Sequence, residues 1–104
     1  MTITRMWRGW TTPEAADDYE RFLLDDLFPS MRAIPGFIGA EVLRRTDGGE
    51  VAFVTLTRFR SMDNIRTFAG DAIDRPVIEP RAAELLAHYD ERALHYDSAV
   101  FHRE

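Results

Sequence analysis

The stretch IPGFIGAEVLRRTDGGEVAFVTLTRF, residues 34–59, decides the fold of this chain. Two runs within it, residues 36–45 and 50–59, are rich in the β-branched and aromatic residues that favour strands. They flank the tripeptide Asp-Gly-Gly at residues 47–49, which is a strong signal for a tight turn. The sequence therefore predicts a β-hairpin at the centre of the chain.

The length of the turn sets which residues of the hairpin share a face. A three-residue loop would place Leu43 opposite Phe53 and Glu41 opposite Thr55. One face is then purely apolar and is expected to pack on helices: Ile38, Ala40, Val42, Ala52, Val54 and Leu56. The other face is mixed and must find a different partner: Phe37, Gly39, Glu41, Leu43, Phe53, Thr55 and Thr57.

The sequence before the hairpin predicts one strand and one helix. Residues 3–11 have strand composition, and Thr12 followed by Pro13 is typical of a helix start. Pro29 predicts a kink or an early end near Phe28. An apolar stripe at helical spacing supports the helix: Ala15, Tyr19, Phe22, Leu23, Leu27 and Met31.

The sequence after the hairpin predicts two further helical segments and a last strand. Ser61 can cap a helix that stops at Gly70, helical composition resumes in residues 81–89, and residues 92–101 alternate again. The order strand, helix, strand, strand, helix, strand predicts an α+β, ferredoxin-like βαββαβ antiparallel sheet with helices on one face.

Composition narrows the function classes. The chain has 104 residues, which predicts a single domain over residues 1–104, and it has no cysteine. All thirteen basic residues are arginine, so chemistry that requires a lysine is excluded. The net charge of -5 disfavours nucleic acid as a partner, and no run of about 20 apolar residues is present for a membrane span. We expect a cytoplasmic protein that binds neither nucleic acid nor a membrane.

The mixed face of the sheet predicts self-association. A monomer that exposed Phe37, Leu43 and Phe53 there would carry a larger apolar patch than soluble monomers usually show. Two sheets packed face to face would cover the patch and enclose a space between them. We therefore expect a homodimer, a dimeric α/β barrel, that binds a small aromatic or hydrophobic molecule in this space.

The chain resembles the antibiotic biosynthesis monooxygenase family of dimeric α+β barrels. The motifs that carry the resemblance are strand 3–11 followed by Thr12-Pro13-Glu14, the entry Ile34-Pro35-Gly36-Phe37, the strand at 53–59 leading into Ser61-Met62-Asp63, and His95-Tyr96. The resemblance implies small cytoplasmic homodimers, some of which oxidise polycyclic phenols or quinols with dioxygen and no metal or flavin. We accordingly expect no cofactor.

The haem-degrading members of that family have features that this chain lacks. They carry an asparagine on the first strand, a tryptophan on the second helix and a histidine shortly after it. Here the first strand has no asparagine, the matching helix carries Phe68, and no histidine precedes His88. Haem degradation is therefore disfavoured, whereas haem binding through a single histidine stays open. The histidine spacings predict no metal site.

His95 and Glu41 are the candidate catalytic residues. His95 has the opposite parity to the apolar residues of the last strand, so it is expected to point into the barrel and to remove a phenolic or enolic proton. The alternative is a histidine hydrogen-bonded across the sheet or the dimer seam. Glu41 could act as a base or orient a histidine, or else pair with an arginine at the interface.

The candidate substrate-binding residues are Trp7, Phe37, Phe53, Thr55 and Thr57. We expect Trp7 inside, stacked on a flat ligand, because Met6 is the better residue to pack on helices. The threonine hydroxyls could bind a carbonyl, although threonine is also simply a good strand residue.

Three functions are compatible with these residues. The first is a cofactor-independent monooxygenase that acts on a phenol, quinol or polyketide-like aromatic. The second is a non-catalytic dimer that binds a small hydrophobic ligand, and the third is an isomerase or cyclase of a related enolisable substrate.

Overall fold

A computed structural model describes residues 2–104. The strands are β1 (Ile3–Thr11), β2 (Phe37–Asp47), β3 (Glu50–Phe59), β4 (His88–Tyr89) and β5 (Leu94–Asp97). The helices are α1 (Ala16–Phe22), α2 (Phe28–Met31), α3 (Met62–Ala69) and α4 (Pro80–Leu85), and a π-helical turn, Leu23–Leu27, joins α1 to α2. No helix in the described part of the chain is long and apolar enough to cross a membrane.

The strands form one antiparallel sheet with β1 near its centre. The order is β2-β3-β1-β4, and β5 pairs with β1 on the same side as β4. Strand β1 pairs with β3 over its whole length, from Ile3 opposite Phe59 to Thr11 opposite Val51. The helices cover one face, so the predicted α+β, ferredoxin-like architecture is confirmed.

The observed register of the hairpin differs from the predicted one, which assumed a three-residue loop. The turn contains two residues, Gly48 and Gly49, because Asp47 pairs directly with Glu50. Leu43 therefore lies opposite Val54 instead of Phe53. A one-residue slip turns every side chain of a strand to the other face of the sheet.

The slip decides which residues of β3 lie beneath the helices. The predicted helix-packing residues of β3 lie on the open face, and the buried residues are instead Val51, Phe53, Thr55, Thr57 and Phe59. For β2 the prediction was correct at Val42, which packs toward the core, and at Leu43, which is 46% exposed on the open face. It was wrong at the start of the strand, because an irregularity between Phe37 and Gly39 leaves Ile38 48% exposed and packs Phe37 against Phe59.

The core between sheet and helices has two parts. Tyr19, Phe22 and Leu23 pack with Phe53 in one cluster, where Tyr19 meets Phe53 edge to face at 4.9 Å between ring centroids. Ile3, Met31, Phe59 and Ile65 form the other cluster. Aromatic side chains bury about 150–250 Å² each, so those in the core contribute strongly to its stability.

The first helical region continues past the position where it was expected to kink or stop. Before Pro29 the helix widens into the π turn, in which the Phe28 N–H donates to the carbonyl of Leu23, five residues earlier. Proline lacks the N–H that a regular α-helix needs, and π turns accommodate such an irregularity without ending the helix. The irregularity lies where the sequence placed it, but the helix extends to Met31.

The second half of the chain matches the prediction except after Leu85. Ser61 caps α3 by accepting from the Asn64 N–H at 3.4 Å, and α3 ends at Gly70. Helix α4 ends at Leu85, so His88, expected in a helix, lies in strand β4 instead. Its ring stacks on Trp10 with the centroids 4.6 Å apart. This stacking and the pairing with β1 replace the helical conformation that the local composition favoured.

Candidate functional site

A cavity lies between the sheet and the helices of the single chain. The space inside it that a water-sized molecule can occupy is about 40 Å³, and the total space between its walls, open mouth included, is about 550 Å³. The sheet supplies its floor: Arg5, Trp7, Thr55 and Thr57. The helical region of residues 16–31 supplies most of the roof: Tyr19, Phe22, Leu23, Leu27, Phe28 and Met31. Phe68, Val77, Glu79 and Ala82 complete the wall.

Strand alternation explains the composition of the floor. Odd-numbered residues of β1 point toward the helices, and Arg5 and Trp7 pair with Thr57 and Thr55 of β3. Directly opposed residues on neighbouring strands have Cβ atoms about 5 Å apart. The two pairs therefore form a compact four-residue patch, with Arg5 beside Thr57 and Trp7 beside Thr55.

Arg5 is the cationic group of the cavity wall, although the residue is only 4% exposed. Its Nη1 donates to the carbonyl of Ile73 and to His95 Nε2 at 2.9 Å, and its Nη2 donates to the carbonyl of Arg75 at 2.7 Å. Burial lowers the pKa of Arg5 to about 10, and the negative charge of Asp74 partly opposes this shift. The guanidinium therefore stays charged at neutral pH.

His95 lies behind Arg5, away from the cavity wall. It pairs with Arg5 across β5 and β1, its side chain is 7% exposed, and its Nδ1 lies 3.5 Å from Asp74 Oδ1. Because a guanidinium only donates, Nε2 must accept, which requires an unprotonated Nε2. Burial and the charge of Arg5 lower the pKa of His95, while Asp74 acts in the opposite direction. The imidazole is consequently neutral at neutral pH.

Three polar groups of the wall have no hydrogen-bond partner within residues 2–104: the Arg5 Nε–H, the Tyr19 hydroxyl and the Thr57 hydroxyl. No buried side-chain nitrogen or oxygen in that range lacks a partner, so these atoms must reach open space, and their residues line the cavity. Burial raises the pKa of Tyr19, which keeps its hydroxyl protonated and able to donate. All three groups can therefore donate to an oxygen of a ligand.

Two further residues of the wall have distinct surroundings. The Trp7 indole N–H donates to the carbonyl of Asp90 at 2.8 Å, which fixes the ring against the cavity. Glu79 is half-buried at the start of α4. Its carboxylate forms no salt bridge within the part of the chain that the structure describes, so it is available to a ligand or a proton.

The structure brings some of the predicted site residues together and separates others. Trp7, Thr55 and Thr57 lie in the cavity wall. For Trp7 the expected reason was wrong, because its face is the helix side and Met6 is the residue that faces outward. His95 reaches the site only through Arg5.

The other predicted site residues lie outside this cavity. Phe53 is 1% exposed and packs on Tyr19, and Phe37 packs on Phe59 with the ring centroids 5.6 Å apart. Glu41 lies on the open face of the sheet, where its carboxylate is 3.6 Å from Arg58. Glu41 and His95 are therefore on opposite faces of the sheet.

Sequence reasoning missed Arg5, Tyr19 and Glu79. The shared parity of Arg5 and Trp7 on the first strand was visible, but arginine is rarely buried, so it carried no signal for a cavity. Tyr19 was visible only as part of the apolar stripe. Glu79 follows no periodic pattern and is identified only by its place in the wall.

The cavity is a small, mainly apolar space with hydrogen-bond donors in its wall. The walls are mainly aromatic and aliphatic, and the residues that carry the three donors left unpaired in the described part of the chain, Arg5, Tyr19 and Thr57, all line the cavity. No group of three His, Asp or Glu side chains within residues 2–104 is arranged to hold a metal ion. The cavity is therefore an apolar site with a few polar donors, one of them cationic.

Comparison with known proteins identifies relatives of the chain. The family model of antibiotic biosynthesis monooxygenases matches residues 2–71. No curated protein matches the chain in sequence. Solved structures of the same fold do match it, at sequence identities that speak for the fold alone.

Three of these structures cover almost the entire chain. Rv0793 from Mycobacterium tuberculosis matches with a TM-score of 0.61 and 21% identity, covering 97% of this chain and 98% of its own. SnoaB, a cofactor-independent oxygenase from Streptomyces nogalater, matches with a TM-score of 0.61 and 18% identity over 99% and 98% of the two chains. MhuD, with two manganese protoporphyrin IX groups bound per active site, matches with a TM-score of 0.65 and 17% identity over 100% of both chains.

Proposed function

The chain belongs to the antibiotic biosynthesis monooxygenase family, and from this premise we propose that it is a cofactor-independent monooxygenase of a phenolic or quinol aromatic. The observation that carries the proposal is the cavity between sheet and helices, with aromatic walls and the donors of Arg5, Tyr19 and Thr57. A site of this composition stabilises an aromatic anion and excludes water from it.

The proposed reaction needs only the substrate, dioxygen and proton transfers. The bound phenol loses its proton, and the phenolate transfers one electron to dioxygen, which gives a phenoxyl radical and superoxide. These combine through a new C–O bond at the para carbon, and protonation gives a hydroperoxide. Loss of water breaks the O–O bond and removes the proton from that carbon. One oxygen atom remains as a quinone carbonyl, and the other leaves as water.

The positions of Arg5 and Glu79 suit the first step. The guanidinium favours the phenolate over the phenol because opposite charges attract strongly where water is excluded. Glu79, in the same wall, is proposed as the proton acceptor. His95 and Glu41 stay predicted bases, and substitution separates the three residues.

Oxygen uptake tests the proposal. The purified chain is incubated with monocyclic to tricyclic phenols and quinols in the presence of a chelator, with isotopically labelled dioxygen. We expect one labelled atom in the quinone and one in water. Glu79→Gln should lower the rate about 100-fold or more, as loss of a general base does.

The matched variants decide which residue removes the proton. His95→Ala and Glu41→Gln are measured beside Glu79→Gln. A rate that falls only in His95→Ala or only in Glu41→Gln would move the base assignment to that residue. Binding of the phenol with no oxygen uptake by any substrate would favour the ligand-binding alternative, and a product of unchanged mass would favour the isomerase or cyclase.

A homodimer is part of the proposal. The open face of the sheet carries a row of apolar residues, with Leu56 paired to Met6 and Met6 paired to Leu94. Leu43 and Tyr96 lie on the same face and are 46% and 51% exposed. An apolar sheet face of this kind is typically covered in solution, and a second copy presents the same surface.

A further inference from the structure

The cavity wall contains a positive charge that the protein does not neutralise directly. Within residues 2–104, no carboxylate lies within ion-pair distance of Arg5. Its hydrogen-bond partners are the carbonyls of Ile73 and Arg75 and the ring of His95. A buried cation is costly unless it is paired. Asp74 acts on Arg5 from beyond ion-pair distance, and the cavity, whose wall also contains the carboxylate of Glu79, is the space available for a further anion.

The bonds to the protein leave part of the guanidinium unused. Nη1 gives both of its hydrogens to Ile73 and His95, and Nη2 gives one to Arg75. The Nε–H and the second Nη2 hydrogen have no protein acceptor within the described residues. Because Arg5 lines the cavity and its Nε is not sealed from open space, the Nε–H is the donor available to a ligand.

His95 holds the guanidinium in this orientation. The two carbonyls come from residues 73 and 75, a segment without helix or strand, whereas His95 lies on β5, directly opposite Arg5. Asp74 contacts the far nitrogen of the ring and so favours the tautomer that leaves Nε2 free to accept. The side chains thus form a chain that leads from Asp74 on the surface to Arg5 in the cavity.

We propose that Arg5 makes the cavity selective for ring ligands that carry a phenolate or enolate oxygen, and that His95, oriented by Asp74, is its positioning residue. The inference rests on the proposed use of the cavity as the ligand site, but it does not depend on the oxidation step. It adds to the role of Arg5 in the proposed reaction a preference for the anion in binding alone and the positioning of the guanidinium by His95.

Two probes of the same ring test the selectivity. 4-Nitrophenol ionises and its anion absorbs at longer wavelength, whereas 4-nitroanisole cannot ionise. At a pH just below the pKa of free 4-nitrophenol, binding should increase the absorbance of the anion. The anion should also bind about tenfold more tightly than 4-nitroanisole, which corresponds to one charge-assisted hydrogen bond.

Variants separate the roles of Arg5 and His95. Arg5→Met should lose the preference for the anion and keep its affinity for 4-nitroanisole. His95→Leu, which removes the acceptor, should lose most of the preference, and His95→Gln should retain it because the amide oxygen can accept from Nη1. His88→Gln, on the opposite face of the sheet, is the control and should behave as the unmodified protein.

Several results would overturn the inference. Equal affinity for the two probes, or no binding of either, contradicts selection by Arg5. An unchanged preference in His95→Leu contradicts the positioning role. If Arg5→Met does not fold, the preference for the anion measured in the unmodified protein and in the two His95 variants still tests the inference. Oxygen uptake without a preference for the anion would overturn this inference and leave the proposed function standing. A preference for the anion without oxygen uptake would support this inference and contradict the proposed function.

Discussion

Arg5 and His95 face each other on neighbouring strands, with Nη1 2.9 Å from Nε2. His95, which the sequence suggested as a catalytic base, is therefore in direct contact with Arg5, the cationic residue of the cavity wall. Asp74 is the other charged group beside the ring, and its carboxylate lies at the far nitrogen. The histidine is therefore enclosed between a positive and a negative side chain.

The pH dependence of stability should report this environment. Burial and Arg5 lower the pKa of His95 in the folded chain below the ordinary value of about 6.5. As the pH falls through about 6.5, the unfolded chain takes up the proton first, so the free energy of unfolding decreases until the folded chain is protonated too. Each pKa unit of lowering corresponds to about 1.4 kcal/mol.

Thermal unfolding between about pH 7 and about pH 5 measures the effect. His95→Gln cannot titrate, so its Tm should fall less over this range than that of the unmodified protein. His88→Gln, at an exposed position, is the matched control and should retain the full decrease. Equal decreases in all three proteins would show that His95 does not contribute.

The two tryptophans provide a second measurement at this scale. Trp7 lies in the cavity wall, whereas Trp10 stacks on His88 on the opposite face. 4-Nitrophenol bound in the cavity should quench the fluorescence of Trp7 alone. Trp10→Phe should therefore keep the quenching, and Trp7→Phe should lose it while its ring still contacts the ligand. Quenching that persists in Trp7→Phe would place the ligand elsewhere.

At the scale of the elements, the hairpin turn has the largest consequence. Gly48 has a φ of 63°, in the left-handed region, and Gly49 has no positive φ. A two-residue turn with glycine at its first central position is typical of type II′. This turn sets the register, and the register directs Thr55 and Thr57 into the cavity floor.

Alanine substitution tests the two glycines against each other. Gly48→Ala should lower the free energy of unfolding by about 1 kcal/mol, because alanine is strained at that φ. Gly49→Ala should change it by less than about 0.5 kcal/mol, since a Cβ there meets nothing within 4 Å. Urea unfolding midpoints compare the two, and equal losses would contradict the turn geometry.

At the scale of the whole molecule, the open sheet face should govern association. Leu94 on that face and Leu24 in the π turn on the helix side are 48% and 52% exposed. Light scattering should give twice the chain mass of 12.0 kDa for the unmodified protein. Leu94→Arg should give a monomer, because it places a charge in the apolar row, and Leu24→Arg should remain a dimer.

The masses measured for Leu94→Arg and Leu24→Arg locate the dimer interface. A monomeric unmodified protein would contradict the proposed dimer. Dissociation by Leu24→Arg alone would move the interface to the helix side. Retention of the fold in Leu94→Arg is checked by its circular dichroism, because the substituted side chain is half exposed and should not disturb the core.

Local composition was sufficient for most of the element order and for the irregularity before Pro29, but it did not predict strand β4. Strand residues in 3–11 and 50–59, the cap at Ser61 and the apolar stripe of the first helix each act over a few neighbouring residues. Such short-range preferences can be recognised from the sequence alone. The fold class followed from the order of these elements, whereas the family entered through a resemblance in motifs and is shown by the family model.

The direction of the side chains depended on the tertiary structure. An Asp-Gly-Gly turn is compatible with a two-residue or a three-residue loop, and this choice determines whether Phe53 and Thr55 face the helices. The strand pairing of His88 likewise depends on β1, which is distant in sequence.

The sequence by itself determined the architecture, since each element is specified by residues close together in the chain. The cavity and its chemistry were decided only by the tertiary structure. Arg5 and His95 are separated by ninety residues in sequence, and the segment around Asp74, far from both in the chain, contacts both of them. Which face the helices cover depends on the packing of the entire core, and that is a property of the whole chain.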